Sequence, residues 1–219
     1  GSAFTFDNYR ELWIDEAFWR PALNTLFLTV GVTLVSLAFG TLGGYALARS
    51  THRYAFWILI AALIFRAMPG LTLISGYLLP FFQFNLWGHL PTAAIVLVAL
   101  NQPFTLWLLH AFFLTVPREL DESALVDGCS RFQAFRLAIM PVMWPGVVTT
   151  GIFSFLVGYS DFVICAMLLS ETNQTMVPAT AAFLGSEQHA GKLMFAVAAT
   201  VSMIAPLFVL IVFFQRRIV

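Results

Sequence analysis

The chain has 219 residues, of which 60% are hydrophobic and 10% charged, and its formal net charge is +0. A soluble domain carries about 25% charged residues, so these side chains cannot cover a water-exposed surface, and lipid must be the main solvent. Zero net charge supplies no global field for nucleic acid, and four scattered histidines with two cysteines show no metal-ligand spacing.

The length fits one domain. The pattern predicts an all-α, polytopic helical membrane protein with five transmembrane helices: residues 1–21 as an extracytoplasmic segment, then a transmembrane domain over 22–219. A span needs about 20 apolar residues, and in lipid it must be helical to satisfy its backbone. The first span is expected over 22–48, where Gly40-x-x-x-Gly44 suits close helix packing. The second covers 54–79, carries Arg66 and is interrupted by Pro69-Gly70. The third covers 92–116, with Asn101, Gln102 and Thr105 around Pro103.

A charged excursion follows, from Pro117 to Pro145, with Arg118, Glu119, Asp121, Glu122, Asp127, Arg131 and Arg136. Pro117 suits a first helical turn, and the three acids after it sit at the positive end of that helix. Gly128 offers a stop, and Ser130 can cap a second short helix. Phe132, Phe135 and Ile139 are expected on one face of that helix. Pro141 and Pro145 are expected to end the excursion before the fourth span, 145–169, which holds Asp161. The fifth span covers 193–214. Cys129 and Cys165 fall at different depths, which argues against a disulfide.

Arg49, Arg53, Arg118, Arg131, Arg136, Arg216 and Arg217 collect on one side, and Arg10, Arg20 and Lys192 on the other. The positive-inside bias therefore makes the charged excursion cytoplasmic. Arg66 and Asp161 are ionisable groups within spans, which marks them as functional candidates by default; their depths allow them to pair. Helix breaks at membrane depth need protein or a cavity around them. Asp161 with its neighbour Tyr159, and Arg66, Asn101 and Gln102, are the candidate lining of a substrate path. Thr72, Ser75 and Tyr77 are further polar candidates beside it. For Arg66 and Asp161 the competing reading is a structural ion pair or a water-lined cavity wall; for Asn101, Gln102, Thr105, Thr72, Ser75 and Tyr77 it is polar glue between helices.

The excursion resembles the EAA loop of permease subunits of bacterial ATP-binding-cassette importers. That pattern is Glu-Ala-Ala, three residues, Gly, nine residues and Ile-x-Leu-Pro. Here Glu122-Ser123-Ala124 is followed by three residues, Gly128, nine residues and Ala138-Ile139-Met140-Pro141. Ser123, Ala138 and Met140 depart from it. Phe4-Thr5-Phe6-Asp7-Asn8-Tyr9, Asn24-Thr25, Tyr45-Ala46-Leu47-Ala48-Arg49, Tyr159-Ser160-Asp161-Phe162 and Phe214-Gln215-Arg216-Arg217 look like the carbohydrate branch typified by the maltose system. That family usually has six spans, one of them ahead of the Asn8-Tyr9 segment.

The resemblance implies a bacterial inner-membrane subunit of a sugar importer that alternates access. Its coupling loop, 117–141, would dock on a cytoplasmic ATPase through Glu122, Ser123, Ala124, Asp127, Gly128, Arg131 and Phe135. The implied partners are a second permease, two ATPase subunits, an extracytoplasmic binding protein, membrane lipid and a carbohydrate. ATP and magnesium would bind the ATPase; this chain would hold no cofactor and catalyse nothing, and it has no phosphate-loop motif. Two other classes compete. An ion-coupled transporter or channel acting alone would use the broken helices and Arg66 with Asp161. An intramembrane enzyme would need a second carboxylate within a span beside Asp161, or a metal motif, and the sequence offers neither.

Overall fold

In a computed structural model, residues 7–68, 70–185 and 193–218 are described. Phe4-Thr5-Phe6, Pro69, His189 and Lys192 lie outside them. The elements run α1 Asp7–Arg10, a π turn Glu11–Asp15, α2 Trp19–Arg49, α3 Arg53–Ala67, α4 Gly70–Gln83 and α5 Leu90–Thr115. Then follow α6 Glu119–Val126, α7 Arg131–Ala134, a π turn Phe135–Ile139, α8 Met140–Tyr159, α9 Val163–Leu168, α10 Met176–Gly185 and α11 Leu193–Ile218. The fold is all-α among the described residues, apart from one isolated parallel bridge between Gly88 and Leu169.

Among the described residues, four helices are long and apolar enough to cross a membrane: Trp19–Arg49, Leu90–Thr115, Arg131–Tyr159 and Met194–Phe214. The second span is broken, as the interruption in its sequence leads one to expect: Arg53–Ala67 and Thr72–Gln83 are bent by 87° to each other. The fourth differs from expectation, because its helix begins within the charged excursion, at Arg131, and ends at Tyr159. Pro141 and Pro145 therefore do not end the excursion. A proline removes one donor and crowds the carbonyl four residues back. The π turn just ahead of Pro141, where the Met140 amide reaches Phe135 O, widens the helix there and lets it continue.

The centre of the molecule is α2 packed on α5 and α8. Glycine sets how closely. A Cβ on Gly44 would lie 3.0 Å from the backbone nitrogen of His110, and one on Gly40 would lie 2.7 Å from Thr105 Cγ2. On α8, a Cβ at Gly146 would lie 2.9 Å from the Phe112 ring. Polar groups fill the contact: Thr105 Oγ1 and Ser154 Oγ are 3.1 Å apart, and both residues are fully buried. This is the small-residue packing that helices in lipid use, since lipid removes any hydrophobic drive between them.

The arginine-poor end is tied by polar bonds between distant segments. The Trp87 indole donates to Met167 O at 3.0 Å, and Asn173 Nδ2 donates to Gly88 O at 2.7 Å. Thr25 Oγ1 accepts from the Met176 amide at 2.8 Å, and Asn24 Nδ2 donates to Gln174 O at 3.0 Å. The segment ahead of α2 is packed rather than loose. Leu12 and Phe18 are buried in a cluster with Phe195, Ala198 and Ala199, and Trp13 Nε1 donates to Ser202 Oγ at 3.2 Å.

Candidate functional site

The charged excursion folds as two helices around a glycine turn. Glu119, Asp121 and Glu122 occupy the first turn of α6, where negative charge opposes the helix dipole. Gly128 has φ +86°, a left-handed value that costs glycine little. Its amide donates to Leu125 O at 3.1 Å and the Cys129 amide to Ala124 O at 3.0 Å, which closes α6 in a Schellman arrangement. Ser130 then opens α7 with a reciprocal cap. Its Oγ accepts from the Gln133 amide at 3.3 Å, and Gln133 Oε1 accepts from the Ser130 amide at 2.7 Å.

One side chain fastens this hairpin to the spans. Asp121 accepts the Tyr45 hydroxyl on Oδ1 and the Arg49 Nε on Oδ2, the latter at 2.8 Å. Arg49 Nη2 lies 2.7 Å from the same Oδ2, and its Nη1 donates to Phe113 O at 3.2 Å. The pair is 16% and 15% exposed, so solvent screens it weakly. Tyr45 stacks edge-on against Phe113 and tilts against Phe135. Arg118 Nη2 donates to Ala48 O at 3.3 Å, placing a cation on the last turn of α2.

The outward surface of the hairpin carries Glu122, Ser123, Leu125, Asp127, Arg131 and Phe132, all exposed. Val126 is 87% exposed, an unusual position for an aliphatic side chain at the end of a short helix. Ala124 and Phe135 face inward and are buried. Phe132 does not share the buried face of Phe135 and Ile139: it is 65% exposed and they are 8% and 0%.

A second feature lies at mid-span. A cavity of about 470 Å³ is bounded by Arg66, Tyr77, Asn101, Gln102, Phe104 and Asp161, among others. Asn101 is 3% exposed, and neither its Oδ1 nor its Nδ2 has a partner; Gln102 Oε1 has none either. Buried amides without partners are costly, and these three atoms sit in the wall of the cavity with almost no accessible surface among the described residues. Tyr159 is not part of that wall. It is buried on the opposite side, and its hydroxyl donates to Met203 O at 3.0 Å.

Asp161 is also not inside a span helix. It follows the end of α8, and its Oδ1 accepts the amides of Ile164 and Cys165 at 2.9 and 3.1 Å, capping α9. Arg66 shares the cavity with it, but no ion pair joins them among the described residues. Thr105 is used between helices, and Ser75 donates to Thr72 O instead of facing the cavity. Cys129 and Cys165 are free, and no group of metal-ligand side chains occurs among the described residues.

The family model for "binding-protein-dependent transport system inner membrane component" matches residues 22–219. The chain belongs to that family. Similar proteins include the trehalose transport system permease protein SugB of Mycobacterium tuberculosis, 29% identical over 100% of this chain and 80% of that protein. The diacetylchitobiose uptake system permease protein DasC of Streptomyces coelicolor is 28% identical over 98% of this chain and 78% of that one. The trehalose/maltose permease protein MalG of Thermococcus litoralis is 29% identical, again over 98% and 78%. Among solved structures, a bacterial ABC transporter that imports the acidic polysaccharide alginate superposes with a TM-score of 0.80 at 21% identity. That match covers 98% of this chain and 80% of the other. The methionine transporter MetNI superposes with 0.66 at 18% identity, over 94% of each chain. These two establish a shared fold.

As an inner membrane component the chain is a transport subunit, multi-pass in the bacterial inner membrane, and not itself an enzyme. Of the residues singled out from sequence, the structure gathers Glu122, Ser123, Asp127, Gly128 and Arg131 on one surface, and Arg66, Asn101, Gln102 and Asp161 around one cavity. Sequence reasoning missed Asp121 as a fastening group. The available signal was Tyr45 and Arg49, four residues apart and so on one face of α2.

Proposed function

We propose that the chain is the membrane half of an ATP-driven carbohydrate importer, with α6 and α7 as the piece that receives motion from a cytoplasmic ATPase. The observation that carries this reading is the hairpin itself. It presents exposed Val126 and Phe132 beside Glu122, Asp127 and Arg131, and Asp121 joins it to α2. An apolar anchor rimmed by charge is what a protein partner buries. ATP and magnesium belong to that partner. Movement of the hairpin pulls on α2 through Asp121, Arg49 and Tyr45, and so changes which side of the membrane the cavity faces.

A carbohydrate suits the cavity. Sugars present many hydroxyls and an apolar ring face, and the cavity is lined by Asn101 and Gln102 together with Tyr77 and Phe104. Trehalose, diacetylchitobiose and maltose in the names of the similar permeases support the same class. A second permease covers the cavity's open side. Arg66 is exposed there, and a cation at membrane depth is costly against lipid. An extracytoplasmic binding protein delivers the sugar to the opposite end of the spans.

Replacing Glu122 with Lys tests the coupling surface. Uptake by the assembled importer should be lost while the chain still inserts and the cavity still binds sugar. Undiminished uptake would sink the assignment.

A further inference from the structure

A groove of about 330 Å³ lies at the arginine-rich end, between the end of α2, the start of α3 and the end of α5. Its rim holds His52, Arg53 and Arg118, and its wall continues into Phe56, Leu59 and Leu114. No acidic side chain lines it among the described residues. The nearby carboxylate of Asp121 is engaged by Arg49, and Glu122 lines a neighbouring hollow that meets the groove at Ser50, Thr51, His52 and Arg118. The groove is thus basic where water begins and apolar below. At a rise of 1.5 Å per residue, Phe56 and Leu59 lie about 5 and 9 Å deeper than Arg53. That is the order of separation between a phospholipid phosphate and its first acyl carbons. Arg53 donates no side-chain hydrogen bond to the protein among the described residues, and Phe56 and Leu114 are 60% and 58% exposed.

We propose that this groove holds an anionic phospholipid, with its phosphate between Arg53 and Arg118 and its chain along Phe56, Leu59 and Leu114. Charge bias puts this end in the cytoplasm, where the leaflet is anionic, and basic pockets between spans on that side suit such headgroups. The occupant sits beside the connection from α2 to α3 and against Arg118, which also caps α2. It therefore bears on the same joint that carries the hairpin. The proposal rests on the membrane topology and not on the carbohydrate reading, so either can fail alone.

The test is native mass spectrometry of the full chain in detergent with phosphatidylglycerol or phosphatidylcholine. Phosphatidylglycerol should be retained in preference. Arg53→Gln should weaken its retention about fivefold, and Arg53→Gln with Arg118→Gln about 25-fold. Arg136→Gln, exposed at the same end but outside the groove, should leave retention unchanged. Arg53→Gln alone suffices if the Arg118 variant fails to fold. Equal retention in Arg53→Gln overturns the proposal. So does displacement of the lipid by soluble glycerol phosphate at matching concentration, which would mark a free-phosphate site. Loss of the lipid when the ATPase subunit is added also overturns it, because the surface would then belong to that protein.

Discussion

Without the carboxylate of Asp121, the largely buried Arg49 guanidinium keeps the Phe113 carbonyl and the Tyr45 ring but no negative charge among the described residues. Leaving a buried charge uncompensated costs on the order of 3 kcal/mol. Asp121→Asn should therefore cut uptake by the assembled importer about tenfold or more, while ATP hydrolysis continues without it; a parallel measurement of the two rates decides. Arg49→Lys keeps the charge but loses the planar fork, and should reproduce much of the defect. Asn101 invites the opposite experiment. Its amide is buried without a partner, so Asn101→Leu should hold or raise the unfolding temperature while sugar uptake falls. A lowered temperature with normal uptake would assign the residue to packing alone. Gly128 and Ser130 were legible in the sequence because turn and cap chemistry is local. Asp121 was not, because one acid in an acidic run reads as solvated until the helix that faces it is known.

At the level of elements, the apolar runs located α2, α5 and α11 to within a few residues, since a span must be long and helical whatever it packs against. The break in the second span was legible as Pro69-Gly70, but the others were harder to read. The chain bends at Ser160-Asp161 with neither proline nor glycine; the signal was an aspartate able to cap the next helix. Conversely, Pro141 and Pro145 look like stops, yet the π turn carries the helix past the first of them. The contact between α2 and α5 is decided by Gly44, whose missing Cβ faces backbone that cannot retreat. Gly44→Leu should prevent these helices from closing, and protease resistance of the purified chain should drop. Gly31 has open space around it, so Gly31→Ala should be tolerated in the same assay.

Across the whole molecule, α2 carries polar fastenings to distant segments at both of its ends. Thr25 and Asn24 tie it to residues 174–176 at the arginine-poor end, and Tyr45 and Arg49 tie it to the hairpin at the other. Thr25→Val removes the acceptor for the Met176 amide. It should slow uptake with the ATPase still docked, which co-purification would check. Between these fastenings α2 is an uninterrupted helix, and a helix turns about 100° with every residue. Adding one residue near Leu34 would lengthen α2 by only about 1.5 Å, yet it would swing Arg49 a quarter-turn off Asp121 while Thr25 stayed in place. The number of residues between Thr25 and Arg49 is thus set by angle and length together: a single residue loses the angle, and a full heptad restores the angle but moves Arg49 about 10 Å along the axis from Asp121.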